Sequence, residues 1–403
     1  MIDSIHELAT IIRGSKMHFC IKVKRHSAKE ILCYLFIIFC FIPFLFPNPI
    51  VKTNVQPYAA IIGTLILLFY PGSLLKTRQG RNMAIILGGT FLFSLLVMTF
   101  SGISIEAFRG VYNYYALFII PCSIFIVLEE LNEFPENLCK IMILIWGIVA
   151  CVQFFVYRGF ATELISGVRW SYMYRGVVGL ASEPSFFGIA CFYFFHIIGY
   201  FRTQRLFYSA IVLVMGALFA QSTTGIIFLT GYFVVFLLDI IGNRKGVYIW
   251  VASICAFITF IFILNTKLTK SRIYQMFNAF ISGGLDNVLT DVSANVRFNA
   301  ILESLKTASE NFFLPNGFGL RIGSAYGGML VELGIFALPA IILISFGMAI
   351  TFNKKRSQIV YFAVITFLLL NNTQIGNPLL LMVIGMNIYE KTNKIYKEYG
   401  RRC

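Results

Sequence analysis

Arg175 and Glu183 bracket the stretch RGVVGLASEPSFFG (175–188), which opens an apolar run that continues almost unbroken to Arg202. A guanidinium is always charged and grips phosphate oxygens with a planar fork, while a carboxylate can accept a proton from a hydroxyl. A fixed cation and a potential base at the mouth of a greasy segment suit chemistry on a phosphorylated, hydroxyl-bearing ligand. More arginines recur at Arg169, Arg297 and Arg321. PNGFG (315–319) adds Gly317 and Gly319, whose backbone N–H groups can approach an anion. QSTTG (221–225) offers Thr223 as a hydroxyl contact to sugar or phosphate. Glu332, in GGMLVELGIF (327–336), is a carboxylate inside an apolar segment and so a functional candidate, with Arg321 as a candidate partner. Each has a plainer reading. Glu183 could only complement a helix dipole, worth about 0.3–1 kcal/mol; a single arginine could contact lipid headgroups; QSTTG could be a tight turn.

The elements that must position these residues are apolar. Of 403 residues, 58% are hydrophobic and 13% charged, against about 25% charged in a soluble domain. Runs long enough to cross a bilayer, at about 20 residues each, recur from 31 to 389. The composition predicts an all-α, polytopic transmembrane bundle of about twelve spans. They fall near 31–47, 57–75, 83–100, 111–128, 139–157, 185–200, 206–220, 225–241, 247–264, 327–352, 359–371 and 378–389. NNTQIGNP (371–378) is either a loop or a re-entrant break between the last two. The first 30 residues carry no apolar core before a small-residue cleavage site, so the first span is expected to act as its own insertion signal.

Basic loops orient membrane helices. Alternating from the basic tail (1–30), KTRQGRN (76–82), FRTQR (201–205), NRKG (243–246), NKKR (353–356) and the tail 391–403 all fall on the cytoplasmic side. Eleven of the 33 basic residues are left outside: Lys52, Arg109, Arg158, Arg169, Arg175, Lys267, Lys270, Arg272, Arg297, Lys306 and Arg321. Three of these arginines share the outer loop 158–184, against the usual preference. An anionic ligand at the outer surface would account for them. The net charge of +15 then needs no nucleic acid to explain it.

The outer loop 265–326, between spans 31–264 and 327–390, is too long for a simple connector. In SRIYQMFNAFIS (271–282), Ile273, Met276, Phe277, Phe280 and Ile281 fall on one face, predicting an amphipathic helix on the outer leaflet or on the bundle. GGLD (283–286) predicts a turn. A second helix is predicted from Ser293, with Val296, Ile301, Leu302 and Leu305 on one side, stopping before LPNGFG (314–319).

Absences narrow the chemistry. There is no phosphate-binding G-x-x-x-x-G-K-[ST] and no dinucleotide fingerprint. His6, His18 and His26 lie in the inner tail and His196 inside a span, so an outward Ser-His-Asp set or histidine-held metal is not expected. All nine cysteines fall in spans or inner segments, which predicts no disulfide framework. Pro184 suits the first turn of a helix and pushes Glu183 out of helical geometry, with Ser182 or Ser185 available as caps.

RGVVGLASEPS before a span, QSTTG, the long outer loop with Arg297 and PNGFG, and VELGIF in the next span together resemble the O-antigen polymerase family of bacterial inner-membrane proteins, relatives of the O-antigen ligases. The likeness covers most of residues 158 to 340. It implies a glycosyltransferase that joins undecaprenyl-diphosphate-linked oligosaccharide repeats outside the inner membrane, with no cofactor and no metal. The lipid-linked oligosaccharide and membrane lipids are the implied partners, together with a chain-length regulator protein. Arg175, Arg297 and Arg321 are carried over as diphosphate ligands and Glu183 as base, with Arg169 added on charge alone. Two departures matter. Relatives often have arginine where Thr223 stands, and the ligases carry a histidine in the large outer loop, where residues 265–326 have none. The second favours polymerase over ligase. A flippase for the same lipid-linked repeat is the alternative from another class, although transporters tend to show repeated halves.

Overall fold

A computed structural model describes residues 27–46, 55–169, 176–240, 272–320, 323–370 and 375–400. Apolar runs satisfy their backbone groups most completely as helix. Every regular element among the described residues is helical, and the one β-contact is an isolated bridge between Leu45 and Ile165. The helices are α1 Ala28–Phe41, α2 Tyr58–Phe69, α3 Pro71–Leu75, α4 Arg78–Ser101, α5 Ile105–Leu131, α6 Glu136–Phe155, α7 Pro184–Ile198, α8 Arg205–Val214 and α9 Thr223–Ile240. They continue as α10 Arg272–Leu289, α11 Val292–Glu310, α12 Ala325–Leu333, α13 Leu338–Ala349, α14 Lys355–Leu369 and α15 Pro378–Gly400. Among the described residues, four stretches are long and apolar enough to cross a membrane: α4, α5, α6 and the Ala325–Ala349 run that joins α12 to α13.

Where helix and expected span differ, the sequence supplies the cause. The first run stops at Phe41, just before Pro43, which cannot donate to a continuing helix. The 57–75 run breaks at Tyr70–Pro71 for the same reason. The 206–220 run ends in a π-helical turn, Met215–Phe219. The 327–352 run is interrupted at Gly334, whose φ of +62° ends α12 ahead of a 3-10 turn. The predicted span 247–264, the NRKG loop, most of the N-terminal tail, the start of the large loop and residues 371–374 lie outside the described residues.

One end of the bundle is tied by carboxylates. Glu130 receives Lys29 and the Ser73 hydroxyl. Glu136 pairs with Lys140 at 2.7 Å and accepts the backbone N–H groups of Arg202 and Thr203. Asp239 accepts the N–H of Lys354 at 3.0 Å, tying α9 to the start of α14. The middle is aromatic, with Trp146, Tyr114, Tyr193, Tyr326 and Tyr361 fully buried. His196 sits inside this core, its Nε2 sharing a hydrogen bond of 2.8 Å with the Tyr361 hydroxyl.

The large-loop helices form close to where they were expected. α10 leaves helical geometry at Gly283 and Gly284, the expected turn. α11 begins at Val292, capped by the Asp291 carboxylate accepting from Ala294 N at 2.9 Å. Its packing reverses the expectation from its apolar side. Val296, Leu302 and Leu305 are exposed, while Ser304 and Ala308 are buried, Ser304 against Gly327 of α12. Small residues let two helix backbones approach, so the bulky apolar side is turned outward.

Candidate functional site

The residues around Glu183 form a strap held from three sides. Gln153, from the last turns of α6, clamps Gly179: its Oε1 accepts Gly179 N at 2.8 Å and its Nε2 donates to Gly179 O at 2.9 Å. Arg158 donates to the Gly176 carbonyl at 3.1 Å. Val177 N donates to Phe219 O at 2.8 Å, fastening the strap to the turn that precedes α9. A pocket of about 280 Å³ lies beside it, lined by Gln153, Arg158 and Val177 among others.

Glu183 is the N-cap residue of α7, with extended backbone and Pro184 at the first helical position, as Pro184 predicts. The expected serine caps do not form. Neither Ser182 nor Ser185 caps the helix; Ser185 Oγ donates instead to Glu183 Oε2 at 3.1 Å. Ser182 is fully buried, and its hydroxyl has no hydrogen-bond partner among the described residues. The reason is geometric: with Glu183 as the cap residue, Ser182 lies one residue before the cap and Ser185 two residues after it.

Arg169 stands over this mouth. Its backbone N donates to Ser182 O at 2.8 Å, and its Nη1 lies 3.7 Å from Glu183 Oε1. The Arg169 side chain is 75% exposed and that of Glu183 24% exposed. So open an ion pair contributes roughly 0–1 kcal/mol to stability. Folding therefore does not hold the pair closed.

Thr223 belongs to the same region. A β-carbon on Gly225 would lie 2.6 Å from the Gly188 Cα, so the first turns of α7 and α9 touch backbone to backbone. Ser222 caps α9, its Oγ accepting Gly225 N at 3.2 Å. Thr223 Oγ1 is buried and has no hydrogen-bond partner among the described residues. Two helix N-termini, each with the positive end of its dipole, thus start side by side next to Glu183.

Glu332 and the glycines of PNGFG make contacts of their own. Glu332 accepts the Tyr114 hydroxyl at 2.5 Å, so its partner among the described residues comes from α5. Gly317 does not present its N–H to an anion, since that group donates to the Glu332 carbonyl at 3.3 Å. Its φ of +77° serves the turn, and a β-carbon there would meet Ser101 at 2.5 Å. Gly319 has open space around it. Phe318, between them, packs on Gly110 and Tyr114. PNGFG therefore acts as a wedge between α4, α5 and α12. Arg297 lies in the second turn of α11 and is half-buried. Arg175 and Arg321 lie outside the described residues.

Gln153, Arg158 and Tyr114 were not singled out as site residues. Arg158 stood among the outward arginines. Gln153, the one amide in the apolar CVQFFV (151–156), carried a signal of its own: such a group needs a buried partner. Tyr114 in YNYY (112–115) carried none.

Fold and site together define an all-α protein with helices suited to a membrane and a charged mouth where two helices begin. No family model, curated protein or solved structure matches the chain.

Proposed function

We propose that the protein is a bacterial inner-membrane glycosyltransferase of about twelve spans. It polymerises lipid-diphosphate-linked oligosaccharide repeats at the outward face, with both termini cytoplasmic. The observation that carries this reading is the Arg169–Glu183 pair, 3.7 Å apart and partly open, at a mouth where α7 and α9 start together.

In the proposed reaction, a sugar hydroxyl of one repeat attacks the anomeric carbon of the growing chain. The bond between that carbon and the lipid diphosphate breaks, and the diphosphate leaves with its electron pair. The hydroxyl proton passes to the Glu183 carboxylate. Negative charge grows on the leaving oxygen as the bond lengthens, so guanidinium groups and helix N-termini there favour the transition state over the ground state. Arg169 supplies one such cation; Arg175, Arg297 and Arg321 are the other proposed ligands of the diphosphate.

Deleting the gene and analysing the envelope tests this reading. A polymerase predicts single repeats on the lipopolysaccharide core, restored to long chains by the wild-type gene. Polymer stranded on the lipid carrier would make the protein a ligase, and repeats trapped inside would make it a flippase.

A further inference from the structure

The proposed reaction leaves the opposite end of the bundle unused. There, an open cavity of about 650 Å³ lies between the turns that follow α5, α7 and α13 and the flanks of α9 and α15. Gly199 and Tyr200, just past the end of α7, line it. The fifteen residues of α7 therefore separate it from Glu183, roughly 22 Å at 1.5 Å per residue.

Its lining carries both signs: Arg202, Arg205 and Lys391 supply the cations, and Glu133, Asp239 and Glu390 the carboxylates. Arg202 and Arg205 stand on one side, at the start of α8, where Gln204 provides no side-chain cap and the first N–H groups stay open. Asp239 stands on another wall, held by the Asn353 and Lys354 N–H groups. Neither arginine forms an ion pair with Asp239. Between them lies Tyr232, only 7% exposed, with its ring packed on His196 and Phe352. Its hydroxyl has no hydrogen-bond partner among the described residues, and both Arg205 and Asp239 act on it electrostatically. Tyr232 lines the cavity, so a ligand entering it can pair that hydroxyl. Phe236, Ile350 and Phe352 make the wall beside it apolar.

From this we infer that the cavity binds a zwitterionic headgroup, a phosphate joined by a short spacer to a primary ammonium. The phosphate would take Arg202, Arg205 and the open start of α8. The ammonium would take Asp239, and the Tyr232 hydroxyl would donate to a phosphate oxygen. A simple anion would leave the Asp239 side unmatched and repelled. The same chemistry can reach the cavity as phosphatidylethanolamine or as a free phosphoethanolamine. The inference does not depend on the activity proposed for the other end.

Native mass spectrometry of the full-length protein, released from bilayers of equal phosphatidylethanolamine, phosphatidylglycerol and phosphatidylcholine, tests it. The wild type is expected to retain phosphatidylethanolamine. Arg205→Gln and Asp239→Asn should each lower that retention about tenfold, the loss of one charge-assisted contact. Arg205 is exposed and asparagine can still accept from Lys354 N, so both variants should fold. Thermal-shift measurements separate the sources. A shift with soluble phosphoethanolamine points to the free compound, and a shift only with phosphatidylethanolamine vesicles points to the lipid. Preference for phosphatidylglycerol, unchanged retention in both variants, or no shift with either ligand would overturn the inference.

Discussion

Gly188 of α7 and Gly225 of α9 lie in backbone contact, a β-carbon on either reaching the other's Cα within 2.9 Å. This contact brings two motifs 37 residues apart in sequence, SEPSFFG and QSTTG, into one mouth. Glu183 lies five residues before Gly188 and Ser222 three before Gly225, so separating the helices would also dismantle the site.

Gly225→Ala should therefore destabilise the protein by about 1–3 kcal/mol, because the added methyl has only the Gly188 backbone to push against. Thermal unfolding in detergent would measure it. Gly89→Ala is the control: that glycine is exposed in α4 with nothing within 4 Å, so alanine should be neutral or slightly stabilising. Equal behaviour of the two variants would deny the close contact.

Tyr114→Phe removes the donor to Glu332 but keeps the ring. A shielded carboxylate left without its partner should cost about 1–3 kcal/mol. Adding Glu332→Leu to Tyr114→Phe should recover most of that loss, since replacing both polar partners removes the unmet group. Melting temperatures of the single and double variants decide the point, and a double variant less stable than Tyr114→Phe would contradict the pairing.

Gln153→Leu should free the strap at Gly179, which donates one hydrogen bond to that side chain and accepts another from it. Hydrogen exchange is the suitable measurement. Residues 176–183 should lose protection while the core around Trp146 keeps its own, whereas unchanged exchange in the strap would mean that Arg158 and Phe219 hold it without help.

The helices were legible in the sequence because their cause is local: apolar runs set their extent, and Pro43, Pro71 and Pro184 set their ends. The large-loop helices were legible for the same reason, even to the Gly283–Gly284 break. Which face of α11 packs was not, because a helix can bury its small side against Gly327 and leave Leu302 and Leu305 outward. Hydrophobic periodicity alone does not reveal that choice. At the site, the charges of Glu183 and Arg169 were legible as residue types. Their pairing, the Gln153 clamp, the Tyr114 hydrogen bond and the wedge made by Phe318 depend on contacts between distant helices. Local spacing carries no record of those.

Arg297→Lys tests the large loop's share in the proposed chemistry. Lysine keeps the charge and loses the two-point fork. Chain length should fall sharply at unchanged protein level if Arg297 holds a diphosphate, and stay at wild type if it contacts only headgroups.

The most direct measurement is the length of surface polysaccharide made by cells carrying Glu183→Gln, with protein level matched to wild type. Glutamine fills the same space at the start of α7 but cannot take the proton. The account predicts single repeats only, a loss of about 10²–10⁴-fold in chain extension if the carboxylate is the base. Polymer of wild-type length from that strain would contradict it.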